Sequence, residues 1–87
     1  MLPASKKLST VKKLLEYLVS SIVEKPDEVT VEELVRDGQT DLIIHANQDD
    51  LKIIIGKNGK TIKALRELVK VKAILEKKRV NIQVAED

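Results

Sequence analysis

The sequence predicts an α+β domain with element order α-β-β-α-α-β, a three-stranded sheet whose helices pack on one face. Three observations predict it. Apolar residues recur at three- and four-residue spacing in an early and a late segment, the period of an amphipathic helix. Between and after those segments the period shortens to two, the mark of half-buried strands. Two glycines three positions apart, Gly56 and Gly59 with two polar residues between them, separate a short aliphatic run from the late helical pattern. At 87 residues the chain has room for one domain spanning residues 1–87. Residues 1–7 are expected to form a loose basic leader, and residues 8–85 to fold.

The first helix is expected from about Leu8 to Lys25, with Val11, Leu14, Leu15, Leu18, Val19, Ile22 and Val23 as its apolar stripe. Pro26 ends it, because proline disfavours helical geometry at the residue before it. Glu28 to Val35 follows as a strand, with Val29 and Val31 alternating against Thr30 and Glu32 and a slip at Glu33-Leu34 that predicts a bulge. Asp37-Gly38 is a turn pair, and Thr40 to Ala46 completes a hairpin with Leu42, Ile44 and Ala46 on one face and Ile43 and His45 on the other. Asn47 to Asp50 supplies capping side chains for a short helix over Asp50 to Ile55, which Gly56 stops. A longer helix runs from Lys60 to about Lys77, burying Ile62, Leu65, Leu68, Val69 and Ile74 or Leu75 and turning Lys63, Arg66, Lys70 and Lys77 outward. Arg79 to Ala85 is the last strand, with Val80, Ile82 and Val84 on its apolar side.

Composition narrows the function. Without cysteine there is no disulfide scaffold and no thiolate metal site. The longest apolar runs are too short for a transmembrane span or a signal-peptide core, so no membrane association and a cytoplasmic location are expected. The net charge of +2 conceals an asymmetry: residues 50–79 hold ten Lys/Arg against three Asp/Glu, and the rest of the chain holds six against eleven. The half containing the paired glycines is therefore at +7 and the remainder at −5. Tyr17 is the sole aromatic residue, which excludes modules that stack bases on several Phe or Tyr rings. His45 is the sole histidine, and Ser20, Ser21 and Thr61 have no recognisable base partner in the sequence, so neither an enzyme nor a cofactor or metal is expected. The triplet Gly59-Lys60-Thr61 matches the end of an NTPase phosphate loop, but the pattern needs glycine at the position held by Ile54.

The chemistry concentrates at Gly56-Lys57-Asn58-Gly59. A four-residue connection between helices, with glycine at both ends, lets a polyanionic backbone approach closely. The positive end of the second helix dipole favours phosphate there. Lys57 and Lys60 add charge, and Ile54 and Ile62 offer an aliphatic wall. A lone GxxG is a short pattern, and most instances are plain turns between helices.

Here the chain resembles the KH family of RNA-binding domains. Ile54-Ile55-Gly56-Lys57-Asn58-Gly59-Lys60-Thr61-Ile62 looks like that family's I-G-x-x-G core, and the likeness runs on through Ala64-Leu65-Arg66 to the last strand. Glu16-Tyr17-Leu18-Val19 and Lys25-Pro26-Asp27-Glu28-Val29 add to it, so that it spans roughly Val11 to Val84. The element order looks like the type II, prokaryotic arrangement. The resemblance implies a bacterial protein that holds about four nucleotides of single-stranded RNA with its GxxG loop. Carried over, Gly56, Lys57, Asn58 and Gly59 clamp the backbone, and Ile54, Ile55 and Ile62 flank the loop. By charge and spacing, Lys60, Lys63 and Arg66 join them as phosphate contacts. The resemblance also implies a role as RNA chaperone or post-transcriptional regulator, and pairing as a homodimer or with a larger KH-containing, Jag-type protein. Val71 to Leu75 is bulkier than the small-residue run the family leads one to expect, which points to a different dimer contact or to tighter helix packing. Two alternatives stay open: a DNA-binding helix-turn-helix-like module, and a protein-interaction or dimerisation module on the same scaffold.

Overall fold

The computed structural model describes residues 10–85. Its elements are helix α1 (Thr10–Ile22), strands β1 (Thr30–Arg36) and β2 (Gln39–His45), helix α2 (Gln48–Ile55), helix α3 (Lys60–Leu75) and strand β3 (Arg79–Val84). The predicted α-β-β-α-α-β order is present. The leader over residues 1–7 and the helix start at Leu8 lie outside the described residues.

The sheet is mixed, in the order β1-β2-β3. β1 and β2 are antiparallel, from Thr30 opposite His45 to Arg36 opposite Gln39. Asp37 and Gly38 turn the hairpin with positive φ at both residues, the requirement of a type I′ turn. β3 joins β2 in parallel, with Leu42 beside Ile82 and Ile44 beside Val84. Such a pairing needs a long crossover, and the α2-α3 pair provides it. The register of β1 is continuous, so the bulge expected at Glu33-Leu34 is absent. The apparent slip in alternation arises because Leu34 and Val35 lie toward the uncovered end of the sheet, where both are exposed. The strand also starts later than expected, since Pro26–Glu28 forms a 3₁₀ turn.

All three helices contribute to one core against the sheet. Val11, Leu15 and Val19 of α1 recur every four residues and are buried with Ile54 of α2, with Ile62, Leu65 and Val69 of α3, and with Val31, Leu42, Ile44 and Ile82 of the sheet. Ile22 is exposed, although the periodicity placed it in the stripe. The opposite sheet face is polar. There the Gln39 amide hydrogen-bonds Asp41 at 3.2 Å, Arg36 pairs with the same carboxylate at 3.4 Å, and His45 lies 3.1 Å from Glu32.

Two helix ends depart from the sequence reading, each for a local reason. α1 stops at Ile22 rather than Lys25 because the backbone N–H groups of Glu24 and Lys25 donate to the Asp50 carboxylate, at 3.2 and 3.1 Å, instead of continuing the helical ladder. α3 stops at Leu75 rather than Lys77 in a Schellman arrangement. Lys77 takes positive φ, its N–H donates to Ile74 O, and the Lys78 N–H donates to Ala73 O at 2.8 Å.

Asp50 is the one buried charged residue among those described. It sits in the first turn of α2, behind the Asn47 N-cap, whose Oδ1 accepts from the Asp50 N–H and whose amide donates to the Asp50 carboxylate at 2.9 Å. Burial pushes the Asp50 carboxyl up. The backbone donors of Glu24 and Lys25, the Asn47 amide and the Lys25 charge outweigh it and hold the group below the usual carboxylate range. A pKa depressed by folding contributes stability above the unfolded value of about 3.9 and loses it as pH falls through the folded value. Asp50→Asn is therefore expected to be less stable than wild type at neutral pH, with the gap narrowing as the buffer is taken below about pH 3.9. Urea midpoints across that range measure this; a gap that stays constant into acid would refute the role given to the carboxylate.

Candidate nucleic-acid interface

The turn between α2 and α3 is built on three unusual backbone positions, Gly56, Asn58 and Gly59, with a regular one at Lys57. Gly56 has φ 78° and ψ 172°, a region essentially confined to glycine. Asn58 (φ 58°, ψ 26°) and Gly59 (φ 74°, ψ 15°) are both left-handed, and asparagine tolerates that conformation better than most residues. The Gly59 N–H donates to Gly56 O at 3.1 Å, and the Lys60 N–H donates to Lys57 O. Among the described residues, the N–H groups of Lys57 and Asn58 have no backbone acceptor. The N-terminus of α3 has no side-chain cap.

The two glycines serve different ends. A Cβ on Gly56 would collide with Thr61, striking its side-chain oxygen and falling 2.6 Å from its Cβ and 2.8 Å from its backbone nitrogen. Gly56 thus lets the loop close onto the first turn of α3. A Cβ on Gly59 would meet nothing within 4 Å, so the inner side of the chain does not require glycine there; the left-handed backbone does, and the surface stays bare.

The predicted residues divide by position. Lys57 and Asn58 are exposed at the tip of the turn, and Lys60, Lys63 and Arg66 are exposed along α3. Ile55 and Ile62 line an open cleft of about 340 Å³ together with Arg66, Gln83 and Val84. Ile54 is different: it is fully buried in the core, so its side chain supports the turn from beneath and does not form a groove wall. The apolar pattern of Ile53-Ile54-Ile55 could not distinguish these roles, because which isoleucine faces inward depends on how α2 lies on the sheet. Gln83 and Val84 are cleft residues that the motif did not reveal. They arrive through the parallel β2-β3 pairing, which brings the end of β3 back beside the glycine turn.

Arg66 ties the two sides together. Its Nε donates to Ile82 O across the cleft at 3.3 Å. The arrangement is an exposed, cation-flanked turn that opens into a narrow groove with an aliphatic wall on the helices and a strand edge opposite. It suits a linear polyanion with flat apolar groups. Among the described residues, no group of three or more His, Asp or Glu side chains is placed to hold a metal ion. No helix among them is long and apolar enough to cross a membrane.

The turn predicts an asymmetry in stability. Gly59→Ala costs only the left-handed backbone, about 1–2 kcal/mol. Gly56→Ala adds the collision with Thr61 and costs more. Thermal melts followed by circular dichroism rank the two; equal losses would contradict the contact with Thr61.

Comparison with known proteins agrees with this geometry. The family model described as "KhpA/KhpB, KH domain" matches residues 12–84. The RNA-binding protein KhpA of Clostridium perfringens (strain 13 / Type A) is 36% identical over 73 residues, covering 84% of this chain and 97% of its own length. Its counterpart in Thermotoga maritima is 41% identical over 58 residues, covering 67% of this chain and 77% of its own. That of Chlamydia trachomatis serovar D is 33% identical over 76 residues, covering 87% and 97%. With the glycine turn, the mixed three-stranded sheet and a family match over nearly all the described residues, the chain belongs to the KhpA/KhpB family of KH domains.

Proposed function

We propose that this protein binds single-stranded RNA, with the Gly56-Lys57-Asn58-Gly59 turn against the sugar-phosphate backbone and the bases in the cleft of Ile55, Ile62 and Val84. The observation that carries the proposal is the bare, left-handed turn with exposed Lys57 and uncapped helix end, opening directly into that cleft. The relatives named RNA-binding protein support it. Lys60, Lys63 and Arg66 add phosphate contacts along the rim, and Ile54 acts through the fold. The role is binding without catalysis, in the cytoplasm, as an RNA chaperone or post-transcriptional regulator.

The partner reading rests on α3. Leu68, Val71 and Leu75 are 54, 57 and 75% exposed and lie on a face turned away from both the core and the cleft. Ala73 is the residue of the 71–75 run that packs inward, so the bulk of that run projects to solvent and does not tighten helix packing. Such a stripe is suited to a second copy of the chain or to a larger KH-containing, Jag-type protein, and pairing through it leaves both clefts open and raises avidity for a longer RNA.

Lys57→Asp combined with Asn58→Asp is expected to reduce RNA affinity at least tenfold while the melting curve is retained. A folded double variant with wild-type affinity would sink the loop's role. Wild-type affinity should fall as salt rises, and a single-stranded RNA should compete better than a duplex DNA; preference for the duplex would favour a helix-turn-helix mode instead. Leu68→Glu with Leu75→Glu should shift sedimentation from dimer to monomer, and a wild-type chain that is monomeric at all concentrations would exclude the second copy.

A further inference from the structure

Strand β1 is an open edge. The sheet order pairs it with β2 alone, and among the described residues no backbone hydrogen bond joins it to any other element. It is seven residues long with an unbroken register. It holds no lysine, proline or bulge, the devices that commonly blunt an edge. Its outer half is bare: Leu34 and Val35 are 39 and 65% exposed, and Arg36 is exposed beside them.

Side chains alternate along a strand. Glu32, Leu34 and Arg36 therefore share the polar face of the sheet, and buried Val31 marks the helix-bearing face for Glu33 and Val35. On the polar face an apolar residue stands between an acid and a base. A twofold axis through Leu34, perpendicular to the sheet, sets two copies of β1 antiparallel. Leu34 then faces the second copy's Leu34, and Glu32 faces the second copy's Arg36 at both ends. Adjoining registers are worse: an axis through Glu33 sets two Glu33 carboxylates against each other, and one through Val35 sets Glu33 against Asp37. Glu32 and Arg36 can reach outward. Their neighbours within the chain, His45 at 3.1 Å and Asp41 at 3.4 Å, leave the two side chains 49 and 76% exposed.

We propose that β1 pairs antiparallel with β1 of a second copy of this chain, centred on Leu34, joining two three-stranded sheets into one. Charge complementarity selects the occupant, because in this register the strand is its own complement, with two Glu32–Arg36 pairs around a Leu34 contact. One strand pair buries less than a standard interface, so the junction is weak, forms at high protein concentration and adds to pairing through α3. The two β3 strands end at the outer edges of the joined sheet, five strand spacings or about 24 Å apart. Both glycine turns and their clefts therefore stay open, on opposite margins of one sheet. Two different twofold contacts on one chain also build assemblies larger than a dimer.

The test is sedimentation across a concentration series. Every chain compared carries Leu68→Glu and Leu75→Glu, so the result does not depend on pairing through α3. This parent chain should be monomeric when dilute and dimerise as concentration is raised. Adding Glu32→Arg sets arginines against each other at both ends of the junction, and adding Arg36→Glu does the same with glutamates. Each should weaken self-association at least about tenfold. An equimolar mixture of the two should recover it, because every charge then meets its opposite. The substituted positions are exposed, and circular dichroism melts check the folds. If a charge variant does not fold, Leu34→Lys takes its place and should likewise abolish the dimer by setting two lysines at the centre. A parent chain that stays monomeric at every concentration overturns the junction and leaves the edge to an extended segment of a different protein. Charge variants that self-associate like the parent, or a mixture no tighter than its components, overturn it as well.

Discussion

The closeness of Gly56 to Thr61 is the constraint from which the functional surface follows. Because no side chain separates them, the chain reverses between α2 and α3 in four residues. That tight reversal allows α2 to bury Ile54 while α3 buries Ile62, Leu65 and Val69 in the same core. A longer connection could join the same helices, at little entropic cost. It would not hold Lys57 and Asn58 at a fixed angle over the mouth of the cleft. The geometry that closes the fold is thus also the geometry that presents the turn, and the backbone strain at Gly56 is compensated by core packing on either side of it.

Helix α3 is the hub of this small protein because it has three distinct faces. Ile62, Leu65, Val69 and Ala73 face the core. Lys63, Arg66 and Lys70, at spacings of three and four, face the groove and its rim. Leu68, Val71 and Leu75 face solvent on a third side. A surface helix usually carries one apolar stripe, and the second, well exposed one on α3 is apolar area that the described fold does not cover. Placing the proposed RNA contacts and the proposed association surface on different sides of one helix keeps the two from competing for space.

Asp50 performs the corresponding task at the other end of α2. A buried carboxylate is costly unless its oxygens are satisfied, and here the chain leaving α1 supplies two backbone donors while Asn47 supplies a third. This fixes where α1 ends and where α2 begins with one side chain. Nothing in the local sequence marks Asp50 apart from Asp49, which is exposed; both look like ordinary first-turn acids favoured by the helix dipole. Twenty-five residues separate Asp50 from Lys25, and only the folded chain brings them together.

The sequence by itself determined the elements and the motif, because both depend on local patterns. Apolar period specified two helices and three strands, the capping side chains of Asn47 to Asp50 and the Gly56 stop marked the short helix between them, Asp37-Gly38 specified the hairpin turn, and the paired glycines specified the α2-α3 reversal. Charge counting placed the net positive charge in the half that carries the motif. What the tertiary structure decided is everything that depends on direction. The choice of Ile55 and Ile62 over Ile54 as cleft residues followed from the seating of α2, and the arrival of Gln83 and Val84 at the cleft followed from the parallel β2-β3 pairing. The outward turn of Leu68 and Leu75, which periodicity had assigned to or near the core, was settled by the limited area of a three-stranded sheet. A sheet of that width cannot cover every apolar residue of a helix this long, and which ones remain outside is a property of packing, not of spacing along the chain.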